Sequence, residues 1–172
     1  MKKLLLIFPV LLISAALNAQ SGDIDDLFSK YAEKKGFTSV YISGKMLSML
    51  GTMGENPDNI MMRIKSIRIL TENDSIAFPK INLYTELSKK IDISEYEELM
   101  VVQDATETTK FLIKQKGNTI SELLVISGGT KGNSLISIRG SMNIRDLSDL
   151  SKTMGVDELT PLNDLDKKGA DK

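Results

Sequence analysis

Three residue types are absent from this 172-residue sequence: cysteine, histidine and tryptophan. Without cysteine the chain can form neither a disulfide bond nor a thiolate nucleophile, and without histidine it cannot build a Ser-His-Asp or Cys-His catalytic set. Structural and catalytic zinc sites also depend mainly on these two residue types. The composition therefore argues against the common nucleophilic hydrolases and against zinc enzymes, and we expect no catalytic residue, no cofactor and no metal ion.

An excess of charge of one sign is missing as well, because 22 basic residues are balanced by 23 acidic residues and the net charge is −1. A balanced surface gives no general attraction to nucleic acid or to an anionic membrane. We therefore expect no nucleic-acid partner.

Residues 1–19 have the order of a cleavable secretory signal peptide. Lys2 and Lys3 form a basic start, an apolar run follows, and Ala19 is the small residue before the expected cleavage at Gln20. The run is shorter than the roughly 20 apolar residues that a membrane-spanning helix needs. We expect a mature protein that is periplasmic or secreted, with no transmembrane segment.

Residues 20–155 are predicted to form a single α+β domain, and residues 156–172 a largely disordered tail. Apolar residues at helical spacing predict helices over 23–35, 79–91 and 143–155, with a short helical turn at 44–51. Alternating and β-branched segments predict strands over 37–43, 60–71, 99–103, 108–116, 119–127 and 134–141. A bulge is expected near Lys65 and Ser66. Together these elements predict a mainly antiparallel sheet with helices packed on one face.

Two internal echoes raise the hypothesis of a degenerate duplication. Residues 40–44 read VYISG and residues 124–128 read LVISG, while residues 66–69 read SIRI and residues 137–140 read SIRG. The two echoes lie at different offsets, so chance similarity between β-rich segments stays open as the alternative.

The second half of the chain carries a resemblance to a known family. Phe111, Ile113 and Lys114 lead into a tight turn at Gly117, and the strands at 122–125 and 136–140 follow, before a helix with Ile144, Leu147 and Leu150. In this layout the chain resembles the Bacteroidetes exported-protein family known as domain of unknown function 4252. The resemblance implies an envelope location and supplies no catalytic residues. Similar members often carry a lipoprotein cysteine, which this sequence lacks.

The densest methionine group is the strongest candidate for a binding surface, and it consists of Met46, Met49, Met53, Met61 and Met62. Thioethers can bind Cu(I), but methionine more often fills gaps in a core or forms a pliable apolar surface. The sequence leaves open whether this group is core or surface, and whether it binds a protein partner or a small hydrophobic ligand.

Two groups of carboxylates are candidates for acid–base chemistry of the kind that hydrolases use. One group is Glu95, Glu97 and Glu98, and the other is Asp104 and Glu107. Neighbouring residues on a strand point apart, and exposed carboxylates are common, so solvated side chains are the simpler interpretation.

Ser75 is a candidate O-glycosylation site, because Asp74-Ser75-Ile76 resembles the short signal of Bacteroidetes exported proteins. A plain turn is the alternative.

We therefore predict a non-enzymatic envelope protein that binds another envelope protein. The alternative is a periplasmic protein that binds a small or hydrophobic ligand, and a carboxylate-dependent hydrolase is third.

Overall fold

The structure is a computed structural model that describes residues 22–53, 59–72, 83–89, 93–129 and 132–164. Within these ranges the α-helices are α1 (Gly22–Ala32), α2 (Gly44–Thr52), α3 (Leu83–Ser88) and α4 (Ile144–Met154). The strands are β1 (Phe37–Ser43), β2 (Ile64–Glu72), β3 (Glu97–Gln103), β4 (Glu107–Lys116), β5 (Thr119–Gly129) and β6 (Gly132–Met142). Short 3-10 helices cover Ile60–Met62, Ile93–Glu95 and Asp157–Asp164.

The six strands form one sheet in the order β1-β2-β6-β5-β4-β3, and every neighbouring pair is antiparallel. The predicted α+β class with an antiparallel sheet is therefore confirmed. Strands β3 to β6 follow one another along the chain, and β6 then pairs with β2. This order leaves β1 and β3 at the two edges of the sheet.

Both faces of the sheet carry an apolar core, because successive strand residues point to opposite sides. Face A bears Val125, Ile136 and Ile138, and it is covered by α2, α4 and two of the 3-10 helices. Face B bears Leu124 and Ile126, and it is covered by α1 and α3. The expectation that helices pack on one face was wrong. The continuous apolar run in β5 requires a cover on each side.

The first helix is held to face B by the residues that its spacing identified. Ile24, Leu27, Phe28 and Tyr31 are all buried, and they pack with residues of β2, β4, β5 and β6. Burying an apolar side chain of this size contributes roughly 1.5–3 kcal/mol. The packing of α1 therefore rests on one apolar stripe.

Strand β2 begins later than predicted. Ile60–Met62 forms a 3-10 helix rather than the start of a strand, because Asn59 Oδ1 accepts a hydrogen bond from the Met61 backbone N–H and starts a turn. The strand begins at Ile64, and its pairing with β6 shifts between Ile64 and Ser66. The predicted bulge is therefore confirmed, and it brings Ile64 onto face A with Ile67.

The C-terminal region is more ordered than predicted. Gly155 ends α4 in the left-handed conformation, with φ 59°, as a helix-ending glycine commonly does. The 3-10 helix Asp157–Asp164 follows, and it buries Leu159 and Leu162 fully in the core of face A. The predicted disordered tail is wrong for these residues, because two leucines three positions apart can anchor a single short segment.

Other predictions lie partly or wholly outside the described residues. The signal peptide 1–19 does, and so do residues 165–172 of the tail. Helix α3 covers the middle of the predicted helix 79–91, whose two ends are not described. Within the described ranges, no helix is both long and apolar enough to cross a membrane.

The two internal echoes lie on four adjacent strands of the sheet. One pair of echo segments lies on β1 and β5, and the other lies on β2 and β6, which are neighbours between them. Ser66 pairs with Arg139, and Arg68 pairs with Ser137, so the two copies of Ser-Ile-Arg oppose each other antiparallel. A duplication would leave this approximate two-fold arrangement, and the duplication itself stays a prediction.

Candidate binding surface and pocket

Four of the five candidate methionines lie on the surface of the protein. Three of these side chains project from α2 and its C-terminal cap, and the fourth projects from the adjacent 3-10 helix. Leu50 of α2 is exposed beside them. We call the four exposed methionines and Leu50 the methionine surface. The exposed fractions are 56% for Met46, 58% for Met49, 84% for Met53, 48% for Met62 and 48% for Leu50. The sequence left open whether the methionine group is core or surface, and these four methionines lie on the surface.

The fifth candidate, Met61, belongs to the core and not to the surface. It is 7% exposed and packs on face A with Leu47. The two short helices approach closely at Gly51, where a Cβ atom would meet Met62 Cγ at 2.8 Å. The absence of a side chain at Gly51 therefore allows α2 to pack closely against the 3-10 helix, and the exposed methionines of the two segments lie near one another.

At the edge of the sheet beside α2, no strand of the described part of the chain pairs with the outer side of β1. Strand β1 reads FTSVYIS, with no charged residue and no proline, and Val40 and Tyr41 are exposed. Charges, prolines and bulges are the usual devices that prevent an edge strand from pairing with another chain. Helix α2 begins directly after β1, where Ser43 Oγ accepts a hydrogen bond from the Met46 backbone N–H. This edge therefore leads into the methionine surface.

The opposite edge, β3, also exposes two apolar side chains, Val101 and Val102, but it carries charged residues and a shift in its pairing. It begins with Glu97 and Glu98, and its pairing with β4 shifts between Glu98 and Met100. Glu98 is paired with Lys110 at 3.4 Å, and Glu97 accepts a hydrogen bond from Gln115 at 2.9 Å. Both glutamates line a pocket of about 690 Å³ near the start of α4. The charges and the bulge protect this edge from pairing.

The third carboxylate of the first candidate group is also engaged. Glu95 accepts a short hydrogen bond from Lys114 Nζ. With Glu95, Glu97 and Glu98 on separate partners, the structure does not bring this group together as an acid–base pair.

The second carboxylate group lies at a different pocket, on face A. This pocket has a volume of about 460 Å³, and Asp104 and Glu107 both line it. Asp104 closes a turn by accepting hydrogen bonds from the backbone N–H groups of Thr106 and Glu107. Glu107 accepts a short hydrogen bond from Ser127 Oγ. Both carboxylates therefore have structural partners although they share a pocket.

A row of four hydroxyl residues crosses the floor of the same pocket, which we call the hydroxyl pocket. The row runs in register across β2, β6, β5 and β4, and all of its members line the pocket: Thr71, Ser134, Ser127 and Thr109. The 3-10 helix Asp157–Asp164 contributes Asp157, Glu158 and Pro161 to the pocket wall. No sequence motif marks this row, because its members come from four strands.

A network of charges lies on face B between α1 and the sheet. Asp25 Oδ1 is 2.9 Å from Arg139 Nη1 and 3.1 Å from Arg68 Nη1. Arg139 Nε in turn donates to Glu122 Oε1 at 2.9 Å. Burial lowers the pKa of Arg139, but Glu122 and Asp25 outweigh this effect and raise it above its usual value. The arginine therefore stays charged and ties α1 to the central strands.

Two hydroxyl groups complete this network at Glu122. Tyr96 Oη donates to Glu122 Oε2 at 2.9 Å, and Ser137 Oγ donates to Glu122 Oε1 at 2.7 Å. Burial, and secondly the charge of Glu122, raise the pKa of the Tyr96 phenol, so the phenol keeps its proton and its donor role. Each charged side chain of the network has a partner of opposite charge, although the buried Arg68 Nε has no hydrogen-bond partner among the described residues. We therefore interpret the network as structural rather than ligand-binding.

Two further predictions from the sequence concern metal binding and glycosylation. Among the described residues, no group of three or more acidic side chains is placed to hold a metal ion. Ser75, the candidate O-glycosylation site, lies outside the described residues.

Comparison with known proteins identifies a family. The family model described as Domain of unknown function (DUF4252) matches residues 31–150, which is well over half of the chain. The match spans β1 to most of α4, including the segments on which the resemblance rested. No curated protein and no solved structure matches the chain.

Proposed function

This chain belongs to the DUF4252 family, and we propose that it is a non-enzymatic module of the cell envelope that binds another protein. The binding site consists of the methionine surface and the outer edge of β1 at Val40 and Tyr41. The observation that carries the proposal is the exposure of four methionines and Leu50 beside an uncharged edge strand.

The methionine surface has the properties of a docking site for a protein. Exposed apolar side chains in a contiguous group mark interaction surfaces, whereas single exposed ones need no explanation. The unbranched thioether side chain adapts its shape, so methionine suits a surface that packs against a partner. Fully burying one such side chain contributes roughly 1.5–3 kcal/mol to binding before the costs of association.

The edge of β1 specifies the chemistry of the partner. An extended segment can add to a free edge by main-chain hydrogen bonds, and its alternate side chains then reach the same face as α2. A partner of this kind carries an extended segment with apolar residues at every second position. Those residues would cover Val40 and the methionine surface together.

The envelope location rests on the sequence. Residues 1–19 have the order of a signal peptide, and the family resemblance implies export. N-terminal sequencing of the mature protein tests this part, because we expect it to begin at Gln20.

The binding proposal is tested by placing a photo-crosslinking residue at Met49, with Asp149 on α4 as the matched exposed control position. At native expression, we expect one dominant adduct from position 49 and none from position 149. The captured protein, once purified, should bind the wild type and bind the Met49→Gln, Met53→Gln double variant at least tenfold more weakly.

Three results would contradict the proposal. They are identical adducts from both positions, an adduct with a second copy of this chain, and an affinity that the double variant leaves unchanged.

The alternatives have weaker support. A small hydrophobic ligand needs an enclosing site, but the four methionines are about half exposed or more, and neither pocket described above has a methionine among its described lining residues. A carboxylate-dependent hydrolase needs free carboxylates, whereas Glu95, Asp104 and Glu107 have partners within the protein.

A further inference from the structure

The hydroxyl pocket contains a buried polar group that the fold leaves unsatisfied. Ser134 lines the pocket and is 3% exposed, yet its Oγ has no hydrogen-bond partner among the described residues. A hydroxyl group has one donor and two acceptor positions, and a buried group without a partner costs free energy. Its neighbour Ser127 is different, since it accepts from Thr109 Oγ1 at 3.0 Å and donates to Glu107. Ser134 is therefore available to a ligand.

The charge of the pocket selects the class of ligand. Its described lining residues include acidic side chains at the floor and in the wall, and none of them is basic. Glu107 lies beside the hydroxyl row, while Asp157 and Glu158 belong to the 3-10 helix at the wall. Acidic surroundings favour a cation and disfavour phosphate, sulfate or a carboxylic acid.

Size and spacing then distinguish an organic cation from a metal ion. A volume of about 460 Å³ lies within the range of sites for small molecules. In the part of the chain that the structure describes, the carboxylates are not grouped as three or more potential metal ligands. The hydroxyl row instead offers several hydrogen-bonding positions along the length of one molecule.

We propose that the hydroxyl pocket binds a small organic amine that is protonated at neutral pH and carries further N–H or O–H groups. The negative charge of the carboxylates that line the pocket, among them Glu107, Asp157 and Glu158, attracts its ammonium group, and one of its polar groups pairs with Ser134 Oγ. Linear polyamines and amino sugars share this chemistry. The inference is independent of the proposed protein-binding role, which uses a different surface.

The proposal is tested by isothermal titration calorimetry on the purified protein with spermidine and with glucosamine, at slightly acidic pH. N-acetylglucosamine is the matched control, since it keeps the sugar hydroxyls but has no ammonium group. We expect saturable binding of at least one amine and at least tenfold weaker binding of N-acetylglucosamine. The amine that binds more tightly shows whether the ligand is a polyamine or an amino sugar.

Two variants locate the binding site. Ser134→Ala removes the unpaired hydroxyl, so we expect an unchanged or higher Tm together with amine affinity that is weaker by about tenfold. A purely structural serine would not give both effects. Glu158→Gln removes one charge at the pocket wall and should weaken binding, whereas Glu33→Gln makes the same change at an exposed position after α1 and should not.

Three outcomes would overturn the inference. Absence of binding for both amines at millimolar concentration would mean that water alone occupies the pocket. Equal binding of glucosamine and N-acetylglucosamine would show that the ammonium charge does not contribute to binding. Binding that neither Ser134→Ala nor Glu158→Gln weakens would place the amine elsewhere.

Discussion

Helices α2 and α4 lie on the same face of the sheet and have similar lengths, but they use their apolar side chains in opposite ways. In α4, Leu147 and Leu150 are fully buried, and most of the exposed side chains are polar. In α2, only Leu47 and Gly51 are buried, while most of its other apolar residues are exposed. The difference separates a helix that completes the core from one that presents an apolar surface.

The ends of the two helices show the same contrast. Asn143 and Asp146 form a reciprocal capping box at the start of α4, and Lys152 lies in its last turn. Asp146 also forms a two-pronged pair with Arg63, at 2.8 and 2.9 Å. Helix α2 has a serine cap, but it has no acidic residue in its first turn and no basic residue in its last. Local stabilisation is therefore concentrated in α4.

The largest effect should come from Leu150→Ala in α4. Leu150 is fully buried in the core of face A, so its truncation leaves a cavity and should lower the free energy of unfolding by about 3–5 kcal/mol. Urea denaturation followed by circular dichroism measures the loss. A loss below about 1 kcal/mol would contradict the structural role assigned to α4.

Leu47→Ala should have the next largest effect, about 2–3 kcal/mol, because Leu47 is the main buried apolar side chain of α2. The matched control is Leu50→Ala in the same helix, where the side chain is half exposed. The same denaturation experiment should show less than half the loss for Leu50→Ala. Equal losses would mean that the exposed side of α2 also supports the fold.

Asp146→Asn should cost about 1–2 kcal/mol, since it weakens both the capping box and the pair with Arg63. The loss is modest because Arg63 is 40% exposed and solvent screens its pair with Asp146. Asp149→Asn on the exposed side of α4 is the control and should change the Tm little. If both variants behaved alike, the interactions at the helix start would not be the source of its stability.

The smallest effect on stability should come from the Met49→Gln, Met53→Gln double variant, within about 0.5 kcal/mol of the wild type. Both side chains are exposed, so the fold does not depend on them. Thermal denaturation measures this difference, and the same protein should show the loss of partner affinity described above. Strong destabilisation would mean that Met49 and Met53 support the fold, and it would contradict the difference between α2 and α4.

Much of the fold could be predicted from local patterns. The stripe of Ile24, Leu27, Phe28 and Tyr31 identified α1, and an out-of-phase Ile64 identified the bulge in β2. The second layer of helices was missed although β5 carries a continuous apolar run, which is the usual sign of a strand that is buried on both faces.

The candidate sites were less accessible from the sequence. Methionine density identified the surface, but periodicity did not distinguish the buried Met61 from the exposed Met62, because exposure depends on how the 3-10 helix packs. The hydroxyl row has no local signal, since Thr71 and Ser134 are neighbours only through strand register. The sequence predicts a disordered tail that includes Asp157 and Glu158, and it therefore gives no sign that these residues form the wall of a pocket.

The exposure of the methionines has a chemical consequence. Oxidation converts an apolar thioether into a polar sulfoxide, and the reaction follows solvent access. Met46, Met49, Met53 and Met62 are therefore open to mild peroxide, while Met61 and Met142 are shielded by the core. Oxidised protein would keep its fold but lose the apolar character of the surface that we assign to partner binding. Mild oxidation would thus weaken binding at the proposed docking surface before it unfolds the domain.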